Sequence, residues 1–139
     1  MDAGLLSVMC SYNRVRLGDQ PEALYGCEND RTLKQDLKGT MGFGGFVLSD
    51  WGATKSTGAV AAGLDVEMPG ADFFTHDKIN AAIDDGTLTT EMIDDAAGRV
   101  IRALFTLDPS PFDAPNPNTP DDMATSAEHH AIAAQLSVA

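Results

Sequence analysis

An aspartate and a tryptophan stand side by side at the end of a short apolar segment of this chain. Residues 44–53 read GGFVLSDWGA, so that Asp50 and Trp51 follow the apolar stretch 46–48. An ionised carboxylate can attack the anomeric carbon of a sugar, and an indole ring can stack on the apolar face of that sugar. In a second interpretation Asp50 caps the next helix and Trp51 belongs to the core. The pattern alone leaves both interpretations open.

Three more polar residues lie at the ends of predicted strands. Tyr12, within CSYN, stands at the end of the first predicted strand, in a position equivalent to that of Asp50. It can hydrogen-bond a ligand or be a half-buried ring with its hydroxyl in water. Asp65 and Glu67 are two residues apart and therefore share one side of a strand. They can form a carboxylate pair or be strand-end acids that face solvent.

The sequence predicts no metal site and no cofactor. His129 and His130 are adjacent, so on a helix they would point about 100° apart and could not chelate one metal together. Cys10 and Cys27 do not have the spacing of zinc ligands. They can form one disulfide or remain free thiols. The glycines of 38–45 precede a strand and do not open a helix, which argues against a phosphate-binding loop.

Composition limits the classes of partner. The 139 residues are enough for one ordinary domain, and the formal net charge of −12 argues against nucleic acid and anionic membranes as partners. No segment approaches the ~20 apolar residues of a membrane span. The first residues, MDAGLL, have no positive segment and no long apolar segment, so no signal peptide is visible.

The elements that would position these residues alternate between strand and helix. Predicted strands lie at 5–11, 46–49 and 64–67. They are short and lack polar alternation, which is typical of parallel strands covered on both faces. Residues 13–29 are predicted to be a loop. One predicted helix begins after Asn29, and four more cover 54–63, 75–86, 89–107 and 123–139.

Side-chain alternation predicts which residues of the second strand share a face. Phe46, Leu48 and Asp50 fall on one side, and Val47 and Ser49 fall on the other. The carboxylate of Asp50 would thus stand at the carboxyl end of a parallel strand, where barrels and open α/β sheets bind their ligands.

A proline-rich segment divides the chain. Five prolines lie between positions 109 and 120, a density that excludes helix and interior strand. We therefore predict an α/β segment at 1–108, a linker at 109–122 and a helical segment at 123–139.

Several motifs together resemble glycoside hydrolase family 3, the β-glucosidase family. They are VMCSYN (8–13), YGCEN (25–29), GFGGFVLSDWGA (42–53), GLDVEMPG (63–70) and AAGRVIRALFTL (96–107), in the order of the family pattern. The resemblance covers nearly the whole chain. FVLSDWGA followed shortly by GLDVEMPG is far more specific than any single motif, and it favours the catalytic interpretation of Asp50.

This resemblance implies a retaining glycosidase that acts on β-glucosides or oligosaccharides. Asp50 would be the nucleophile, Trp51 would form a wall of the sugar site, and Met9 and Tyr12 would lie near the same sugar. The enzyme would be a hydrolase, or a glycosyl transferase where an acceptor sugar competes with water. Family members are often secreted or periplasmic, and some carry a disulfide at the positions of Cys10 and Cys27. The compartment of this chain stays open.

The implied fold is a partial β/α barrel, with about three parallel strands and flanking helices out of the family's eight-fold barrel. Residues 123–139 would begin the family's second domain. The acid/base glutamate and the upstream sugar-binding residues of the family have no counterpart in the chain. The alternative is therefore a non-catalytic, truncated fragment that folds or self-associates and at most binds sugar. Because three strands cannot close a barrel, we expect a homo-oligomer.

Overall fold

The computed structural model describes residues 4–107 and 125–137. The chain forms two compact units, Met1–Pro109 and Ser110–Ala139. The predicted linker 109–122 lies outside the described residues.

The first unit mixes short strands with helices. Its described strands are β1 (Ser7–Cys10), β2 (Arg14–Val15), β3 (Leu24–Tyr25) and β4 (Phe46–Ser49). Its described helices are a 3₁₀ turn (Gly26–Glu28), a π-helix (Arg31–Thr40), α1 (Ala59–Ala62), α2 (His76–Asp84) and α3 (Thr90–Leu107). The unit is therefore an α/β fragment.

Strands β1 and β4 are parallel neighbours, as the sequence predicts for its first two strands. Met9 lies opposite Leu48, and Cys10 lies opposite Ser49. The pairing continues one step further, because the N–H of Asp50 donates to the carbonyl of Cys10 at 3.2 Å. Asp50 is thus fixed at the carboxyl end of this pair.

The prediction of a full third strand at 64–67 is wrong. In this segment only Val66 pairs with β4, in a single parallel bridge to Leu48. Side-chain oxygens occupy the neighbouring backbone positions: the N–H of Val47 donates to the carboxylate of Asp65 (2.7 Å), and the N–H of Met68 donates to the hydroxyl of Ser49 (2.9 Å). A regular ladder cannot continue past these substitutions.

The prediction of a loop at 13–29 is wrong at 14–15 and 24–28, where the structure has β2, β3 and the 3₁₀ turn. β2 and β3 form an antiparallel pair, with Arg14 opposite Tyr25. The buried side chain of Asn29 ties this ribbon to the π-helix, since its Nδ2 donates to the carbonyl of Val15 (3.0 Å) and its Oδ1 accepts from the N–H of Thr32 (3.2 Å). Two-residue strands are too short to produce a periodic sequence pattern.

Two predicted helices differ in extent or type. The helix predicted at 54–63 is reduced to the single turn α1, which begins only at Ala59 and ends at Gly63 in the left-handed region with φ 109°. The helix after Asn29 is a π-helix, and the carbonyl of Asp36 accepts from the N–H of Met41, five residues later. The helices predicted at 75–86 and 89–107 correspond to α2 and α3.

The two faces of β4 differ as the alternation predicts. Val47 and Ser49 are fully buried, whereas Phe46, Leu48 and Asp50 are half-buried. The face of Val47 contributes to the larger core cluster, which consists of Cys10, Cys27, Leu33, Phe43, Val47, Ala53, Ala59 and Leu64. A second cluster contains Val60, Ala82 and Leu88.

Helix α3 fastens the glycine-rich turn that leads into β4. Arg99 donates to the carbonyls of Phe43 (2.9 Å) and Gly45 (3.1 Å), and Arg102 donates to that of Gly44 (3.2 Å). Gly45 has no room for a side chain, since a Cβ there would lie 2.2 Å from the carbonyl oxygen of Leu6. The turn is therefore a structural support of β4.

The second unit is described from residue 125 to residue 137 and contains the helix α4 (Ala127–Leu136). The hydroxyl of Ser126 caps it by accepting from the N–H of His129 (3.1 Å). Among the helices described in either unit, none is long and apolar enough to cross a membrane.

Candidate active site

Asp50 stands on a tight turn directly after β4. Its backbone carbonyl accepts from the N–H of Ala53 (3.0 Å), and its Oδ1 accepts from the N–H of Trp51 (2.7 Å). Gly52, with φ 68°, allows the turn and donates its N–H to the carbonyl of Met68 (3.0 Å). The turn thus holds one carboxylate oxygen of Asp50 and is itself attached to the next segment of the chain.

Tyr12 meets the same turn from the bend between β1 and β2. Its hydroxyl donates to the carbonyl of Trp51 at 2.9 Å. Hydrogen bonding with the carboxylate of Asp50 raises the pKa of Tyr12, and burial and the negative charge of Asp50 raise it further. The structure therefore brings Tyr12, Asp50 and Trp51 together, although 39 residues separate Tyr12 from Trp51.

The indole of Trp51 is not part of the core. The residue is 56% exposed, and Asp50 does not cap α1, which begins at Ala59 without a side-chain cap. An exposed ring beside a carboxylate can stack on the apolar face of a sugar.

Met9 lies on the same face of the sheet as Asp50. It is paired in register with Leu48, two residues before Asp50, and it is 51% exposed. Met9 also lines a groove of about 390 Å³ between β1 and the π-helix, together with Leu37 and Met41. No hydrogen bond joins it to the Asp50 turn among the described contacts, so its place near the sugar stays a prediction.

A disulfide supports the segment that carries Tyr12. Cys10 and Cys27 are joined, with their Cα atoms 5.2 Å apart. The N–H of Gly26 donates to the carbonyl of Asn13 at 2.8 Å, and a Cβ at Gly26 would lie 2.8 Å from the carbonyl oxygen of Ser11. The bridge and this close backbone contact hold the start of the β2–β3 ribbon against the end of β1.

Neither Asp65 nor Glu67 is a strand-end acid that faces solvent. The side chain of Asp65 is 2% exposed and pairs with Lys38 Nζ at 2.6 Å. Glu67 accepts from the backbone N–H groups of Phe73 (2.9 Å) and Phe74 (2.7 Å). Both carboxylates are engaged in holding backbone, and the structure does not combine them into a pair.

Sequence reasoning missed the roles of Ser49 and Lys38. The hydroxyl of Ser49 is fully buried and binds the N–H of Met68, and Lys38 reaches Asp65 across 27 residues. The alternation along β4 already placed Ser49 on the covered face, and a buried hydroxyl needs a partner. No local signal in the sequence identifies the partner of Lys38.

No group of three or more metal-ligating side chains that could hold an ion occurs in the part of the chain that the structure describes. The site offers carboxylate, phenol and indole groups. Such groups are suited to nucleophilic chemistry on a neutral polar ligand.

The fold is that of an α/β fragment, and the sequence comparisons specify its family. The family model "Glycosyl hydrolase family 3 N terminal domain" matches residues 1–103. This chain belongs to glycosyl hydrolase family 3.

The related proteins are much longer than this chain. A probable beta-glucosidase L from Emericella nidulans is 42% identical over 111 residues, which cover 74% of this chain and 14% of that protein. A beta-glucosidase 1 from Aspergillus aculeatus is 40% identical over 110 residues, covering 74% of this chain and 12% of that protein. The chain thus spans about one seventh of the length of the curated relatives it matches.

Solved structures agree with the family assignment. The beta-D-glucoside glucohydrolase from Trichoderma reesei superposes with a TM-score of 0.73 at 30% identity, covering 93% of this chain and 18% of that one. Beta-glucosidase D2-BGL from Chaetomella raphigera gives a TM-score of 0.66 at 35% identity, covering 78% of this chain and 15% of that one.

Proposed function

We propose that this chain carries the nucleophile side of a retaining β-glucosidase site. The observation that supports this most directly is the half-buried carboxylate of Asp50 at the carboxyl end of β4, between an exposed indole and the hydroxyl of Tyr12. The β-glucosidase names of its relatives give the substrate class, a β-glucoside. In this proposal the chain is the last part of a β/α barrel.

The reaction begins when the Asp50 carboxylate oxygen that does not bind the Trp51 N–H attacks the anomeric carbon. The bond to the leaving-group oxygen breaks with its electron pair, and a glycosyl ester to Asp50 forms. Water, or an acceptor sugar, then attacks the same carbon and releases the carboxylate, and its O–H proton passes to the conjugate base of the proton donor or to solvent. Trp51 stacks on the sugar, and Tyr12 holds the turn through the Trp51 carbonyl.

The proton donor of this reaction must be a group other than the nearby carboxylates of Asp65 and Glu67. Retaining glycosidases need a second carboxyl group about 5–5.5 Å from the nucleophile. Asp65 is buried in an ion pair and Glu67 binds two backbone N–H groups, so neither is free for this role. Without a donor we expect a loss of roughly 10²–10⁴ in rate on alkyl glucosides, and a smaller loss where the leaving group needs no proton.

The same engaged carboxylates favour a second candidate, a non-catalytic fragment that at most binds sugar. A chain of this kind would have the exposed ring of Trp51 as its binding feature. It would form no covalent intermediate.

Burst kinetics separate the two candidates. With 2,4-dinitrophenyl β-glucoside, whose leaving group needs no proton, we expect rapid release of one equivalent of dinitrophenol per chain. Asp50→Asn, prepared in the same way, is the control, because the amide keeps the acceptor for the Trp51 N–H but cannot form the ester. Absence of a burst above that control would support the non-catalytic fragment.

A further inference from the structure

The least exposed ion pair among the described residues is bound to β4, the strand directly before Asp50. Lys38 Nζ and Asp65 Oδ1 are 2.6 Å apart, and their side chains are 8% and 2% exposed. Two charges are costly to remove from water, and such a pair is seldom a net source of stability. Its position in the fold therefore needs another explanation.

The second carboxylate oxygen of Asp65 replaces a backbone carbonyl on β4. Asp65 Oδ2 accepts from the N–H of Val47 at 2.7 Å. The N–H groups of Asp65 and Val66 both donate to the carbonyl of Val47, at 2.9 and 3.0 Å. The backbone N–H and the backbone carbonyl of Val47, which lies three residues before Asp50, are thus both bound by Asp65 and Val66.

The same segment, residues 65–68, also binds the backbone on both sides of Asp50. The carbonyl of Val66 accepts from the N–H of Ser49 (2.9 Å), and the carbonyl of Met68 accepts from that of Gly52 (3.0 Å). Asp50 lies between these two attachments. A shift of the 65–68 segment along β4 would therefore move both supports of the Asp50 turn.

Lys38 favours the ionised form of the Asp65 carboxylate, although burial leaves the pKa of Asp65 above its ordinary value. Burial raises the pKa of Asp65, and the hydrogen bonds from Lys38 and Val47 oppose that rise. Burial likewise lowers the pKa of Lys38, against the attraction of Asp65. Lys38 and Asp65 also border a cavity of about 330 Å³ that Glu91 and Asp95 of α3 line, so solvent and further acids are close.

We propose that the Lys38–Asp65 pair is a positioning device for Asp50. It clamps β4 at Val47 and so fixes the register of the 65–68 segment that supports the catalytic turn on both sides. The inference rests on the proposed function in that Asp50 is taken as the nucleophile. Lys38 and Asp65 themselves do not touch the sugar.

The first test measures covalent capture of Asp50 by 2,4-dinitrophenyl 2-deoxy-2-fluoro-β-glucoside, a mechanism-based inactivator. Wild type is compared with Lys38→Met and Asp65→Asn. An asparagine can satisfy either the Val47 N–H or Lys38, but not both. We expect the inactivation rate constant to fall by about 10–100-fold, while the half-saturating reagent concentration, which reports binding at Trp51, stays the same.

A matched control separates positioning from stability. Leu88→Ala empties a buried site in the second core cluster, away from β4. A structural role alone reduces the fraction of chains that react and leaves the rate constant of the remaining chains unchanged. Equal rate constants in Asp65→Asn and Leu88→Ala would overturn the proposal. Should the single variants fail to fold, Lys38→Met/Asp65→Leu removes both charges and still leaves Val47 without its acceptor, so the same loss of rate is expected.

A second measurement does not depend on activity. The N–H of Trp51 donates to the Asp50 carboxylate, so its amide exchange reports whether that group stays in place. We expect faster exchange at both Val47 and Trp51 in Asp65→Asn, with exchange at Ala103 of α3 unchanged. Faster exchange at Val47 alone would contradict a positioning role. If wild type is not labelled by the inactivator, the proposed function fails, and this measurement still decides the inference.

Discussion

At the scale of single residues, the Asp50 turn combines two features that rarely serve folding. Its half-buried carboxylate interacts with the N–H of Trp51 and with the Tyr12 hydroxyl, and the adjoining indole is 56% exposed. Exposure of a large ring costs hydrophobic stabilisation of about 25 cal/mol per Å². A ligand that covers the ring would recover it.

Tyr12 gives a spectroscopic test of this arrangement. Because the Asp50 carboxylate raises the pKa of Tyr12 above its ordinary value of 10.0, we expect Asp50→Asn to lower it toward that value. Ultraviolet titration in a Tyr25→Phe background isolates Tyr12, since the chain has two tyrosines. An unchanged titration curve would mean that the two side chains do not interact in solution.

Trp51 should affect binding and leave stability almost unchanged. A stacked ring contributes about 1 kcal/mol, so we expect Trp51→Ala to weaken binding of a β-glucoside by about fivefold and Trp51→Phe to weaken it less. Calorimetric titration measures the affinity, and urea unfolding measures the stability. A large fall in the unfolding free energy of Trp51→Ala would instead show that the ring belongs to the core.

At the scale of elements, β4 is held more tightly than a two-stranded sheet would suggest. β1 pairs with one edge, the 65–68 segment holds the other, and α3 fixes the turn before the strand through Arg99 and Arg102. These attachments come from three distant parts of the sequence.

Two adjacent glycines test the attachment before β4. A Cβ at Gly45 would collide with the Leu6 carbonyl oxygen at 2.2 Å, whereas one at Gly44 would meet nothing within 4 Å. We expect Gly45→Ala to lower the free energy of unfolding by at least about 1–3 kcal/mol, and Gly44→Ala to change it little. Equal effects in denaturant titrations would exclude the close approach of Leu6, directly before β1, to this turn.

The disulfide should stabilise the first unit by constraining the unfolded chain. Cys10 and Cys27 are 17 residues apart, and closing a loop of that length contributes about 3 kcal/mol in the chain-entropy model. We expect Cys10→Ala/Cys27→Ala to lose about this amount in urea unfolding. A mass spectrum with two free thiols in the purified wild type would refute the bridge.

The sequence predicts those elements that have a local pattern. β4, α2 and α3 were predicted from short apolar segments and from apolar residues repeated at helical spacing, and the alternation along β4 placed Asp50 on the half-buried face. The β2–β3 ribbon and the Lys38–Asp65 pair could not be predicted, because they depend on contacts between residues far apart in the chain. The prediction of a third strand at 64–67 was wrong because the side chains of Asp65 and Ser49 replace the backbone partners of that strand.

At the scale of the whole molecule, we propose that the chain self-associates through a second copy. Large apolar residues near β1 are exposed, including Leu5 (52%), Met9 (51%) and Met41 (60%). Covering such a surface favours association, while the net charge of −12 opposes it. We therefore expect oligomers that strengthen as salt screens the repulsion.

Light scattering tests this directly. At micromolar concentration and 0.5 M salt, we expect a mass of at least twice the 14.7 kDa of one chain. Met9→Lys/Met41→Lys should shift the distribution toward monomer, and Ala97→Lys on exposed α3 is the matched control. A compact monomer at all salt concentrations would contradict self-association.

The central claim, that Asp50 is a glycosidic nucleophile, is tested most directly by locating the covalent adduct. After reaction with 2,4-dinitrophenyl 2-deoxy-2-fluoro-β-glucoside, the chain is digested and the labelled peptide is sequenced by mass spectrometry. We predict one fluoroglucosyl group per chain, esterified to Asp50 within GGFVLSDWGA and absent from Asp50→Asn. An adduct on another residue, or none in a folded wild-type chain that binds the sugar, would contradict the claim.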